Sequence, residues 1–142
     1  MIKYPKTFHF SWSENVQNDD KMLPSDDIFI DKQVVCTEKL DGECSEISRE
    51  CCHARSLASR DHPSRHWLKS LWGKIRYDIP NNFEIFGENM FAFHSIFYNR
   101  LTTYFYVFAI FEGDFCLSWK ETKEWCNLLG LNSCIIYRKS YF

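Results

Sequence analysis

Lys39 stands in the segment Glu38-Lys39-Leu40-Asp41-Gly42, between a β-branched apolar stretch and an Asp-Gly pair. A lysine so placed sits at a strand end, on a scaffold rigid enough to aim it. Its amine is a nucleophile only when deprotonated, so chemistry there needs a lowered pKa. Burial at a site edge, neighbouring cations and a bound metal all act in that direction. Attack on the α-phosphate of a nucleotide would leave a lysyl-nucleotide, with the phosphate charge offset by Mg²⁺ and basic side chains. On spacing alone, K-x-D-G also describes a solvated hairpin turn, because Asp-Gly favours tight turns.

The elements that must position Lys39 are read from periodicity. Residues 1–31 are polar and irregular, punctuated by Pro5, Pro24 and aspartate-rich turns. An apolar, β-branched strand is predicted over 33–38. Alternation over 44–47 and 52–56 predicts two more strands, so the region begins as a small antiparallel meander. Trp67, Leu68, Leu71, Trp72 and Ile75 recur at helical spacing and predict a helix over 64–76. A strand over 83–86 runs into Gly87-Glu88-Asn89, and 105–111 is the strongest strand in the chain. Ser118 and Glu121 form a capping box that opens a second helix, closed by Gly130. A short strand is predicted over 134–137. Strands without regular βαβ alternation predict an α+β fold of antiparallel sheets with flanking helices, in a single domain over 1–142. With no G-x-G-x-x-G and no Walker A motif, a nucleotide would not rest in a glycine-rich phosphate cradle.

The chain has 142 residues, enough for a real core, and a net charge of −2, so it is no polycation that coats nucleic acid. Any nucleic-acid surface must be local. One candidate lies between His53 and Arg76, where Arg55, Arg60, Arg65, Lys69, Lys74 and Arg76 face one acid, Asp61. Arg60 and Arg65, before or at the helix start, are the better phosphate or RNA ligands. The lysines and Arg76 also suit the solvated face of an amphipathic helix. Seven cysteines without a C-x-x-C predict reduced, mostly buried thiols. Cys51, Cys52 and His53 are adjacent, and adjacent strand residues point to opposite faces, so no metal ligands are assigned. No apolar run is long enough to span a bilayer, and no targeting signal is evident, which predicts a cytoplasmic protein without membrane contact.

Several motifs come after Lys39 in order. His53-Ala54-Arg55-Ser56 lies downstream, then Gly87-Glu88-Asn89, then Tyr106-Val107-Phe108-Ala109-Ile110. Taken together the sequence resembles the covalent nucleotidyltransferases, the superfamily of ATP-dependent ligases and mRNA capping enzymes. Within it, the wording is similar to ATP-dependent RNA ligases: Tyr4-Pro5-Lys6-Thr7 with Asp19-Asp20-Lys21, then ARSLASRDHPSRHW, GENMFAFHSI and CLSWKET. The resemblance covers nearly the whole chain and implies a nucleotidyltransferase or ATP-grasp-like ligase domain. It implies that Lys39 is adenylylated by ATP with Mg²⁺ or Mn²⁺, and that AMP then passes to an RNA 5′-phosphate end that is sealed to a 3′-hydroxyl. The implied nucleotide-binding set is Glu38, Lys39, Asp41, Gly42, Arg55, Glu88 and Phe108. Glu88 would bind the ribose hydroxyls, for which a carboxylate suits a vicinal diol. Phe108 would stack on the purine, with Tyr106 two residues away in reserve, and Arg55 would contact phosphate or ribose.

Members of this superfamily carry a further glutamate motif, often E-G-x-V, and a lysine motif that contacts the α-phosphate. Neither is recognisable before Phe142. The resemblance therefore implies the N-terminal portion of a ligase domain: a truncated, impaired nucleotide- or RNA-binding remnant, or one half of a split enzyme completed by a second polypeptide.

Overall fold

The computed structural model describes residues 4–14, 16–54, 62–92 and 94–141. Along the chain come β1 (Phe8–His9), β2 (Lys21–Met22), a 3-10 turn (Asp26–Phe29), β3 (Gln33–Thr37), β4 (Glu43–Ser48) and β5 (Cys52–Ala54). A second 3-10 turn (Pro63–Arg65) leads into α1 (His66–Ile75), and then come β6 (Phe83–Asn89), β7 (Phe105–Glu112) and β8 (Phe115–Cys116). The chain continues with α2 (Trp119–Leu129), β9 (Asn132–Ser133) and β10 (Ile136–Tyr141). This is the α+β class that the pattern predicts, with mostly antiparallel pairing. The described residues form two compact units, one within 39–135 and one within 4–38 with 136–141.

The larger unit is built on one sheet of order β5-β4-β6-β7-β8, with β9 pairing in parallel with β7. One face carries Ile47, Ile85, Phe105, Val107 and Ile110, which pack with Leu68 of α1 and Cys126 and Leu129 of α2 into the main core. Burial of those apolar side chains, each worth roughly 1.5–3 kcal/mol, holds the helices to the sheet. Both helices obey local signals. Ser118 accepts from the Glu121 N–H while the Glu121 carboxylate accepts from Ser118, and Gly130 ends α2 in the left-handed region at φ 66°. The indole N–H of Trp72 on α1 donates to the Ser48 carbonyl of β4 at 2.7 Å, pinning helix to sheet. Cys52 joins this core side, and burial pushes its thiol up to about 12.

The opposite face of the same sheet carries the chemistry. Cys44 of β4, Glu88 of β6 and Tyr106 of β7 are directly opposed across the ladders. Between β6 and β7 the register slips once: Gly87 pairs with Val107 and Phe86 with Ala109, leaving Phe108 as the extra residue of a β-bulge. Gly87 is required by space. A Cβ there would sit 2.5 Å from the Phe105 ring and 2.8 Å from the Tyr106 carbonyl.

The smaller unit pairs β3 with β10 in antiparallel register and β1 with β2 in parallel. Since β3 takes β10 as its partner, the expected meander does not form, and Asp41-Gly42 is not a hairpin turn between consecutive strands. Two N-terminal motifs meet here: the Lys6 ammonium contacts the Asp19 carboxylate at 2.6 Å and the Asp19 carbonyl at 2.9 Å. The seven cysteines are free, but only Cys126 and Cys134 are buried, and Cys36 and Cys116 are exposed. The expectation of mostly buried thiols is corrected accordingly: period-two strands place cysteines on either face irrespective of polarity.

Replacing Gly87 by Ala forces the Phe105 ring and the Tyr106 backbone apart. Gly87→Ala is expected to lower unfolding free energy by about 1–3 kcal/mol, read from urea denaturation. An unchanged midpoint would mean that the sheet yields at this point without cost.

Candidate nucleotide site

Three consecutive residues fasten the segment after Lys39, each by a different interaction. Leu40 is buried and packs with Met90, Tyr106 and Cys134 in a second apolar cluster, against which Trp119 of α2 also packs. Asp41 is tied at both ends of the residue. Its N–H donates to the Tyr98 hydroxyl at 3.0 Å, and its carboxylate accepts from the Ser95 N–H at 3.0 Å, the Ser95 hydroxyl and the Ile96 N–H at 3.2 Å. These bonds, Ser95 foremost, hold the Asp41 carboxyl below its ordinary pKa. Gly42 donates its N–H to Glu88 Oε1 at 3.1 Å. A Cβ on Gly42 would meet the Asn89 carbonyl at 2.6 Å, so only glycine lets the turn come this close to the end of β6.

Lys39, immediately before this fastened run, is exposed. Glu88 is half-buried and near enough to Lys39 to feel its charge. Burial holds the Glu88 carboxyl above its ordinary pKa, opposed by the Gly42 N–H and by the charges of Lys39 and His94. Phe108 is half-buried on the same face and packs against the Leu40 cluster. Tyr106 is buried, and its hydroxyl accepts from the Thr102 N–H at 3.0 Å. Phe108 is thus the ring with surface to offer.

The structure therefore brings Lys39, Asp41, Gly42, Glu88 and Phe108 together. Glu38 is half-buried and belongs to the β3–β10 unit. Arg55 and Arg60 lie outside the described residues. Arg65 is described, and its guanidinium forks onto the Glu43 carboxylate, with Nε 2.9 Å from Oε2 and 3.1 Å from Oε1. That bidentate pair ties the start of α1 to β4 and gives Arg65 a structural partner. Arg76 lies over the Trp72 ring at 4.3 Å from its centroid, a cation–π contact that accounts for it without a ligand.

Sequence reading missed the support. Ser95 and Tyr98 fix Asp41, and Asn89 ties the end of β6 to the second 3-10 turn by donating to the Ser64 carbonyl at 3.1 Å. Asn89 is buried and adjacent to Glu88, so strand alternation puts it on the opposite face. Its place inside Gly87-Glu88-Asn89 was the available signal. Ser95 and Tyr98 sit in an irregular segment and carried none.

The fold and site define an α+β sheet domain that presents a lysine, a carboxylate and an aromatic ring on one face. The sequence profile of the RNA ligase family matches residues 32–141, more than half of the chain, and the chain belongs to that family. No curated protein and no solved structure matches it. No helix among the described residues is long and apolar enough to cross a membrane.

The environment of Glu88 makes a pH prediction. A carboxyl whose folded-state pKa is raised subtracts from stability when ionised. The deficit is fully present above the raised value, shrinks as pH falls through it, and is gone below the ordinary carboxylate pKa. Gln keeps an oxygen for the Gly42 N–H but carries no charge. Glu88→Gln is expected to melt at a higher temperature than the parent chain at neutral pH, and the advantage should vanish as pH falls to about 4. Thermal melts across that range check it. A difference independent of pH would contradict the burial effect.

Proposed function

We propose that this chain is an ATP-dependent RNA ligase-like nucleotidyltransferase, with Lys39 as the residue that takes AMP. The observation that carries the reading is the fastened Leu40-Asp41-Gly42 run, which leaves Lys39 exposed beside Glu88. In the proposed step the neutral Lys39 amine attacks the α-phosphorus of ATP. A P–N bond forms, the bond to the β-phosphate oxygen breaks, pyrophosphate leaves, and the lysine proton passes to solvent. AMP then moves to an RNA 5′-phosphate, and a 3′-hydroxyl displaces it to seal the strand.

Glu88 is assigned to the ribose diol and Phe108 to the adenine face. Lys39 is exposed, and a divalent cation held with the nucleotide would supply the positive charge that favours the neutral amine. With Glu88 given to the ribose, the oxygen donor on hand is the Asp41 carboxylate, whose hydrogen bonds run through Oδ2. Hard carboxylate donors fit Mg²⁺ or Mn²⁺. Such an ion, when bound, supplies positive charge against the phosphates. Asp41 in this reading also positions the lysine, since its own bonds hold the 95–98 segment against the turn.

The test is incubation with α-labelled ATP and Mg²⁺, then denaturing electrophoresis. Label that survives denaturation in the parent chain and is absent from Lys39→Ala is expected. Label in the Lys39→Ala protein would sink the assignment. A folded parent chain that takes no label would favour instead a nucleotide- or RNA-binding remnant, or half of a split ligase. Phe108→Ala should weaken ATP binding by about 1–3 kcal/mol, roughly 5- to 150-fold, measured by calorimetry. Unchanged affinity would remove the stacking role.

A further inference from the structure

Away from Lys39, the β4–β5 hairpin gathers a second set of donors. Glu46 and His53 are directly opposed across the ladder, and Cys51, two residues before His53, shares their face. One carboxylate oxygen, one thiol and one imidazole nitrogen lie within 4.8 Å of one another. His53 Nε2 is 3.2 Å from Glu46 Oε2, and Cys51 Sγ is 3.8 Å from Glu46 Oε1. Ligands of one tetrahedral zinc, at about 2.0–2.3 Å from the ion, are separated by roughly 3.3–3.8 Å.

Two details favour a cation between these atoms. Glu46 is 2% exposed, and its Oε2 and His53 Nε2 are both shut off from solvent with no hydrogen bond, although they lie within ion-pair distance. They are close but not aligned as donor and acceptor. His53 Nδ1 lies 2.8 Å from the Ala54 carbonyl, which can only accept, so Nδ1 carries the hydrogen. In the neutral ring, Nε2 then presents a lone pair to a carboxylate oxygen, an arrangement that repels until a proton or a metal ion sits there. A backbone carbonyl holding the far nitrogen is also the usual outer support of a metal-bound histidine.

We propose that Glu46, Cys51 and His53 form a binding site for one zinc-class divalent ion that staples β4 to β5. A thiol and an imidazole select a borderline-soft ion over Mg²⁺, so this site is chemically distinct from any magnesium site at Lys39. On binding, the Cys51 thiol releases its proton to solvent and the fourth position is left for water. The ion would clamp the strand that ends at Ala54, immediately before Arg55. The cluster escapes a linear reading because Glu46 meets His53 through strand register and not through spacing.

The test uses the full chain, freed of metal by chelation and titrated with Co²⁺ as a spectroscopic probe and with Zn²⁺ in competition. One ion per chain is expected, with a thiolate-to-cobalt charge-transfer band that Zn²⁺ abolishes. Cys51→Ser should remove the band, and His53→Gln should weaken binding at least about tenfold. Cys36→Ser and Cys116→Ser, at exposed thiols, and Lys39→Ala should leave it intact. A band that survives Cys51→Ser, or that is lost with Cys36 or Cys116, overturns the site, as does a folded parent chain that binds no Co²⁺. Glu46→Gln completes the set. Should that buried change prevent folding, Cys51→Ser and His53→Gln decide the matter.

Discussion

The close approach of the Gly42 backbone to the end of β6 is the contact on which the candidate site depends. It joins two segments distant in sequence, the turn after Lys39 and the strand bearing Glu88, through one N–H to carboxylate bond. The bond exists only because position 42 has no Cβ to strike the Asn89 carbonyl. Leu40 and Asp41 then add an apolar plug and a hydrogen-bonded strap on either side of the same point. Lys39 is thereby held through its three C-terminal neighbours, and its own side chain stays uncommitted to the fold.

The two faces of the larger sheet divide the labour. The helix side is apolar and closely packed, and it supplies stability through Ile47, Ile85, Val107 and Ile110. The other side carries polar groups in partly buried settings, where each has a cost unless it finds a partner. Glu88 finds the Gly42 N–H. On the helix side, Arg65 and Glu43 find each other. Glu46 and His53 are the pair for which proximity has not become a hydrogen bond.

How much of this could be read beforehand depended on range. The second helix was legible to the residue, because Ser118, Glu121 and Gly130 set its ends by contacts within a few positions. The sixth and seventh strands were legible from their apolar runs, though β6 extends through Gly87-Glu88-Asn89 where sequence placed the strand's end. Lys39, Asp41, Gly42, Glu88 and Phe108 were visible as motifs and come together on one unit. Strand pairing was out of reach: β3 joins β10, the most distant strand available, because hydrogen-bonded ladders are indifferent to separation along the chain. The bond between Asp41 and Ser95 and the fork between Arg65 and Glu43 were hidden for the same reason.

The bulge at Phe108 makes one position of β7 supernumerary to the ladder. Excising that residue would let Val107 and Ala109 pair with Gly87 and Phe86 in unbroken succession, with every other side chain kept on its own face. Elsewhere in the strand a single deletion would invert the pattern and ruin the core. Here the strand would lose only the Phe108 ring, with its packing against the Leu40 cluster and the adenine contact proposed for it. The pleat of the strand and the ring it displays are thus set by separate residues of β7.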